Sequence, residues 1–481
     1  IYQVVTKDKD ADGEHFTAGV PFPILKYLKN DYPQYQFAQL MQSYGVQVTV
    51  TGGGGEGEKK KFREETGVFY GESDLLKIFE VKFLAGNADV LSEVNNTAIS
   101  KSIAEKYFGN WRDAVGKTIT IDNEEQGLQV AAVFEDVPKN SDFPFLIVSS
   151  YEHFKSYDRT WPQDDWGANS SNHQVYVLLP ASANISSLNQ QLEVFEKKYN
   201  DNNKQTTRTH LLHALKDIHF DDRFSTNGDH VTSKASLYTL AFIGLLIILM
   251  ACINFVNLST ALAVTRSKEV GIRKVMGSSK AQLKLQVLVE TAAVVVISGS
   301  VAVLLAWFAL PYIKNIMVVQ EKLSLFNTGS ILFIVLIVLA TILLSALYPA
   351  LIMGRFKPVE AIKNKINTSR VGSVSLRRVL VVLQFAFSQI LIIATIIAIS
   401  QMNFIRNEDL GFSKDAVLIL YMNADSVSRM RHEAFKNELM ARSDVKQVSF
   451  SSDPPSSDNS WASNFAFDKM EDRDFNLQLK Q

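Results

Sequence analysis

The sequence predicts a multidomain membrane protein, with an α+β domain outside the membrane and an α-helical transmembrane bundle of four spans. Three observations predict it. Apolar residues concentrate in four long runs between about residues 237 and 402. The first half has mixed polarity and alternates helix-like with strand-like patterns. Cations crowd two of the three connections between the runs.

The chain has 481 residues and a formal net charge of −1. That length implies several domains rather than one core, and near-neutrality argues against a nucleic-acid partner. The single cysteine, Cys252, lies inside the first run. It leaves no route to an intrachain disulfide or a cysteine zinc site, and reads as a small packing residue. The chain opens on Ile1 with no signal peptide and closes at Gln481 in polar sequence, so it reads as a fragment open at both ends.

The runs are Leu237–Leu262, Gln286–Leu310, Ser330–Met353 and Val379–Gln401. Each is long enough to cross a hydrocarbon core of roughly 30 Å at about 1.5 Å per residue. They lack the polar stripe of a helix buried in a soluble fold. Peptide groups in lipid must be satisfied within the segment, so the runs are predicted helices. The first connection carries Arg266, Lys268, Arg273, Lys274, Lys280 and Lys284 against Glu269. The third carries Arg355, Lys357, Lys363, Lys365, Arg370, Arg377 and Arg378 against Glu360. The second has only Lys314 and Lys322 with Glu321, flanked by Trp307, Phe308 and Tyr312 as interfacial aromatics. The positive-inside rule therefore places the first and third connections in the cytoplasm and both flanking regions outside.

Ionisable residues are scarce in the runs. Glu290 lies near the cytoplasmic end of the second and reads as a packing or snorkelling residue. Proton- or sodium-driven carriers place such groups at mid-membrane. Here that depth offers only Asn254, Asn257, Ser259, Thr260, Thr341 and Ser345, expected to bond across helices. Energy for any work is therefore expected from elsewhere. Pro349 reads as a kink in the third span.

Residues 1–235 read as an α+β domain with its own core, one that could divide into two lobes. Ile24–Tyr32 and Ser100–Tyr107 are predicted helices, and Thr118–Asp122, Leu128–Phe134 and Gln174–Leu179 predicted strands. Gly109, Gly116, Pro138, Pro144 and Pro162 punctuate them. Thr51–Lys61 (TGGGGEGEKKK) has phosphate-loop glycine spacing, but Glu58 stands where lysine is needed and neither Ser nor Thr follows Lys59. It reads as a flexible loop. His210, His213, His219 and His230 are too loosely spaced for a metal site, with LHALKDIHF read as a strand entering a turn. No nucleophile elbow occurs.

The first cytoplasmic connection, RSKEVGIRKVMGSSKAQLK (Arg266–Lys284), is the candidate site. Ile272, Val275 and Met276 fall on one face of a short helix, with Val270 near its edge and Arg273 and Lys274 off it. Gly277 ends the helix, and Ser279 with Gln282 forms a capping box that starts the next span. Such a lever fits a partner's groove, its charges steering docking, or rests on anionic lipid. The residues alone leave both readings open.

Asn254–Glu290 (NFVNLSTALAVTRSKEVGIRKVMGSSKAQLKLQVLVE) resembles the second span, coupling loop and third span of FtsX/MacB-type ABC permeases. YPALIMGRFKPVEAIKNK (Tyr348–Lys365) resembles that family's exit from its fourth span. LSEVNNTAISKSIAEKYFGNWRDAVGKTITID, AAVFEDVPKNSDFPF and LKDIHF resemble its periplasmic core domain. The resemblance implies a protein of the bacterial inner membrane with large periplasmic domains, working with a separate cytoplasmic ATPase. It implies no enzymatic activity and no cofactor in this chain, with ATP and magnesium bound by that subunit. Its docking contacts would be Arg266, Glu269, Val270, Gly271, Ile272, Arg273, Lys274, Met276 and Gly277, with Glu290 and Pro349 as structural residues of the spans. It further implies a span preceding Ile1, a permease domain at 236–365 and a linker at 366–378. A second repeat would open with the span 379–402, and a truncated second periplasmic domain would begin at 403–481. The tandem arrangement resembles permeases common in the Bacteroidetes. Membrane lipid, a second permease copy or pseudo-dimer, and a periplasmic adaptor are further expected partners. The alternative is a membrane-anchored periplasmic sensor or scaffold without transport.

Overall fold

The computed structural model describes the chain except residues 11–12, 52–58, 125, 139–140, 158–162, 168, 200–206, 225–230, 314–323, 356–373, 410–416, 423–425, 452–460, 466–474 and 480–481. It divides into two compact units, Ile1–Val231 with Phe412–Gln481, and Thr232–Gly411.

The first unit is built on one large sheet. Its strands are β1 (Tyr2–Asp10), β2 (Gly13–Thr17), β4 (Gln36–Ser43), β5 (Val46–Thr51), β6 (Lys59–Glu64), β7 (Val68–Gly71) and β8 (Phe83–Ala85). They continue with β9 (Asn96–Ser100), β10 (Thr118–Ile121), β11 (Leu128–Phe134), β12 (Ile147–Ser150), β14 (His173–Leu178) and β15 (Thr207–Ala214). A short β3 (Val20–Pro21) and β13 (Asn169–Ser170) pair beside it. The path runs β15-β1-β14-β4-β7-β12-β9-β11-β10-β5-β6, with β2 added on β1 and β8 on β11. Most pairs are antiparallel, but β9–β11 and β7–β12 are parallel. Helices α1 (Ile24–Asp31), α2 (Ser73–Ile78), α3 (Lys101–Phe108), α4 (Tyr151–Tyr157), α5 (Ile185–Glu193) and α6 (Phe195–Tyr199) make the connections. This is the α+β architecture the sequence predicts. The continuous sheet runs through the whole domain, so it does not divide into two lobes.

Central strands are apolar on both faces, because both are covered. Met41, Val68, Tyr70, Ile99, Val133 and Ile147 enter one core cluster. Their immediate neighbours Leu40, Phe69, Ala98, Ala132, Phe134 and Val148 enter the other. Helix α3 shows why the local signals work. Ser100 caps it by accepting from the Ile103 amide at 3.4 Å, and Gly109 terminates it at φ +81°, a conformation that costs a residue with a Cβ.

The predicted loop at Thr51–Lys61 is corrected at both ends. Thr51 and Lys59–Lys61 lie in paired strands, with Thr51 opposite Lys59 and Thr49 opposite Lys61. Lys59, Lys61 and Arg63 alternate outward on an edge strand, where lysines deter pairing with another chain. Buried Glu64, on the other face, accepts from the Tyr107 hydroxyl at 2.8 Å and the Lys106 ammonium at 2.5 Å. Gly52–Glu58, Pro162 and His230 lie outside the described residues.

The histidines are distributed among separate partners. His210 sits between the Thr6 hydroxyl at 3.3 Å and the Glu196 carboxylate at 3.0 Å. His213 faces Asp221 at 3.5 Å and packs on Phe224; burial holds its pKa below the ordinary value. His219 lies 3.9 Å from Asp142. No group of three metal-ligating side chains occurs among the described residues. The LHALKDIHF segment is the end of β15 followed by a 3-10 turn, Leu215–Phe220.

His173, the first residue of β14, is fully buried, its Nδ1–H donating to the Val20 carbonyl at 2.9 Å. Desolvation pushes its pKa down from 6.5 to about 4. The unfolded chain therefore takes up a proton that the folded domain refuses. This contribution is present above pH 6.5 and is lost as pH falls through about 4, on the order of 3 kcal/mol across that window. Denaturant titrations of the full chain between pH 7.5 and 4 should show this loss, and His173→Gln should flatten the slope. An unchanged slope in the variant would remove His173 as its cause.

Candidate functional site

The second unit is a bundle of long helices: α7 (Lys234–Thr265), α8 (Ser267–Val275), α9 (Lys280–Ile313), α10 (Thr328–Arg355) and α11 (Val374–Asn407). Four contain segments long and apolar enough to cross a membrane: Lys234–Leu262, Lys280–Tyr312, Thr328–Met353 and Arg378–Asn407. Helix α10 packs against both α9 and α7, and α11 packs against α7. Large apolar side chains cover the outside of these helices, as a hydrocarbon solvent requires. Residues 314–323 and 356–373, which hold Lys314, Glu321, Lys322, Lys357, Glu360, Lys363, Lys365 and Arg370, lie outside the described residues.

The candidate site is the corner where α7 turns through α8 into α9. Ser267, Val270 and Gly271 form the buried stripe of α8, at positions i, i+3 and i+4. Val270 packs with Leu283 of α9 and Ile352 of α10, with Tyr348 and Met353 beside them. This corrects the sequence expectation for Val270: it faces the bundle and does not border the exposed apolar face. The opposite stripe is open. Ile272, Val275 and Met276 are 52%, 66% and 82% exposed, an unusual state for three apolar side chains on one short helix. Lys268 is exposed on the same side. Lys274 is partly buried; desolvation, then the Lys280 charge, pushes its pKa below the usual lysine value.

Both ends of the corner are closed by hydrogen bonds. The Ser278 amide donates to the Arg273 carbonyl at 2.9 Å and the Gly277 amide to the Lys274 carbonyl at 3.2 Å, with Gly277 at φ +100°. That is a Schellman termination. The Ser279 amide then donates to Gln282 Oε1 at 2.8 Å while the Gln282 amide donates to Ser279 Oγ at 3.2 Å, a complete capping box.

Side chains join the two helices as well. Arg273 donates to Glu269 at 2.5 Å and to Gln286 at 2.7 Å. Gln286 donates to Glu290 at 2.9 Å, and Arg266 donates to the same carboxylate at 3.2 Å. Because α9 begins at Lys280, well before the apolar run, Glu290 lies nearly three turns into the helix. Its carboxylate is paired with Arg266 and does not snorkel alone. Gln286 was missed as a site residue; its i, i+4 spacing to Glu290 was the one available signal. Pro349 is buried inside α10, which continues through it to Arg355. Two side-chain oxygens of the polar residues in α7 find no partner within the described bundle. Asn257 Oδ1 and Thr260 Oγ1 are buried without a hydrogen-bond partner among the described residues.

A mixed α/β domain attached to four helices long and apolar enough to cross a membrane defines a multi-pass membrane protein. Family models match residues 3–194 as a MacB-like periplasmic core domain and residues 241–358 as an FtsX-like permease C-terminal region. The chain therefore joins a MacB-like periplasmic core domain to an FtsX-like permease region, as a multi-pass inner-membrane protein with a periplasmic domain. An export ATP-binding/permease protein of Pseudomonas fluorescens is 26% identical over 147 residues, 29% of this chain and 22% of that protein. The chain thus matches less than a quarter of the length of that curated relative. A crystallised domain of a protein described as a permease, from Porphyromonas gingivalis, is similar at 17% identity and a TM-score of 0.38, covering 50% of this chain and 95% of that domain.

A Cβ at Gly277 would meet nothing within 4 Å, so the cost of Gly277→Ala is conformational alone, about 1 kcal/mol. Hydrogen exchange at the Gly277 and Ser278 amides should accelerate roughly fivefold in the variant, with exchange in the β-sheet unchanged. Equal exchange in both proteins would show that the left-handed residue does not hold the corner.

Proposed function

We propose that the chain is the permease subunit of an ABC transporter, worked by a separate cytoplasmic ATPase that binds ATP and magnesium. The observation that carries this reading is the open stripe Ile272–Val275–Met276 on a helix whose opposite stripe is anchored in the bundle. Apolar side chains displayed on a fixed support suit insertion into a groove, and the surrounding cations steer an acidic rim toward them. Arg266, Glu269, Arg273 and Lys274 flank the contact, Gly271 permits close helix approach, and Gly277 sets its exit. Nucleotide-driven closure of the ATPase would move α8, tilt the spans and reshape the periplasmic domain. Substrate would then be handled at the periplasmic face, by export or by mechanotransmission. Helix α11 would open a second repeat.

Two measurements test the reading. With Cys252 replaced by alanine, Met276→Cys should react with an impermeant maleimide only from the cytoplasmic side, and Tyr312→Cys only from outside. Labelling of Met276→Cys on intact cells would end the reading. The double substitution Ile272→Asp with Arg273→Asp should lower the ATP hydrolysis that co-purifies with the tagged chain by at least tenfold. Undiminished hydrolysis would show that the ATPase does not dock on α8, and a parent chain that brings down no ATP hydrolysis at all would favour a membrane-anchored sensor or scaffold without transport.

A further inference from the structure

We infer that Gln286 is the relay of a polar brace, Glu269–Arg273–Gln286–Glu290–Arg266, that locks α8 to α9 so that they move as one rigid lever. The inference rests on the coupling role proposed for α8 and concerns what happens after docking. A guanidinium only donates and a carboxylate only accepts, and a carboxamide standing between the two can bond to both because it carries an acceptor and a donor. Gln286 supplies both, accepting from Arg273 at 2.7 Å and donating to Glu290 at 2.9 Å. Glutamate at 286 would set two carboxylates one helical turn apart, lysine would face Arg273 with a like charge, and leucine would leave both neighbours unlinked.

The brace has two anchors on the α8 side. Arg273 sits in the last turn of α8, held by Glu269 one turn before. Arg266 occupies the residue just before α8 and reaches Glu290 on α9. Both ends of the short helix are therefore tied to one face of α9, four residues apart. A single tie would let α8 pivot about its attachment; two ties remove that freedom. The backbone caps at Gly277 and Ser279 fix the turn itself, but they act at one end of α8 only. The side-chain brace controls the angle between the helices.

Spin labels test this on the full chain in detergent or nanodiscs, with Cys252 replaced. Labels at Lys268→Cys on α8 and Leu304→Cys on α9 should give a narrow distance distribution by pulsed dipolar spectroscopy. Gln286→Ala, which removes the relay without unpairing a charge from its ion partner, should broaden that distribution at least twofold. Glu290→Ala should do the same, and the exchanged pair Arg266→Glu with Glu290→Arg should recover most of the narrowing. A distribution as narrow in Gln286→Ala as in the parent overturns the brace. Co-purifying ATP hydrolysis separates this outcome from failure of docking. Gln286→Ala and Glu290→Ala should keep the ATPase bound, whereas Ile272→Asp with Arg273→Asp removes it. Loss of the bound ATPase in Gln286→Ala would make Gln286 a docking residue and also overturn the inference.

Discussion

A peptide group cannot be left unpaired where water is scarce, and the membrane unit is organised by that constraint. Inside α7, α9, α10 and α11 the helix itself meets it. The difficulty lies at the reversal between α7 and α9, where one helix must end and another begin within a few residues. There the chain supplies a left-handed glycine, a Schellman pair and a reciprocal capping box in succession, from Gly277 to Gln282. Once those groups are satisfied, the orientation of α8 is set by which stripe it buries. Val270 finds Leu283 and Ile352, so Ile272, Val275 and Met276 are left facing away.

The periplasmic domain solves a different problem with the same rule. Its central strands bury both faces, and most polar groups within them find partners in the interior, Ser150 Oγ and Thr49 Oγ1 being exceptions. Thr97, Ser149, His173 and His210 are all buried, and each bonds to a neighbour across the sheet or to a backbone carbonyl. At β6, one edge of the sheet, the outward positions change to lysine and arginine. Apolar surface appears outside this domain only as scattered residues such as Val94 and Val194. In the membrane unit exposed apolar residues are continuous. The same chain therefore presents two surfaces matched to two solvents.

Legibility in the sequence followed the range of the signal. Spans, the capping box and the Gly277 stop were readable because each is decided by residues within one or two turns. The strands at Leu128–Phe134 and Thr118–Ile121 were readable for the same reason. Val270 was misplaced because periodicity gives the faces of α8 but not which face meets the bundle; Tyr348 and Ile352, some eighty residues away, decide that. The Arg266–Glu290 pair spans twenty-four positions across a turn, beyond any helical spacing rule. Lys59–Lys61 were read with the glycine run before them, although their alternation with Phe62 and Glu64 is strand-like. Sheet order is wholly non-local, and nothing in the sequence pattern announces that β14 lies between β1 and β4.

The pairing of Glu290 bears on where the energy for movement enters. An ion-driven carrier needs a carboxylate whose charge is open to its coupling ion at some stage of the cycle. Among the described residues of the four spans, Glu290 is the single acid within the apolar stretch of a crossing helix, and both its oxygens are taken, by Arg266 and Gln286. The remaining polar side chains, Asn257 and Thr260 among them, carry no charge with which to hold a proton. This disposition supports the proposed reading, in which work reaches the bundle mechanically from a partner outside the hydrocarbon. The part of the described membrane unit best shaped to receive it is α8, with its bare apolar stripe on one side and its anchorage to α9 and α10 on the other.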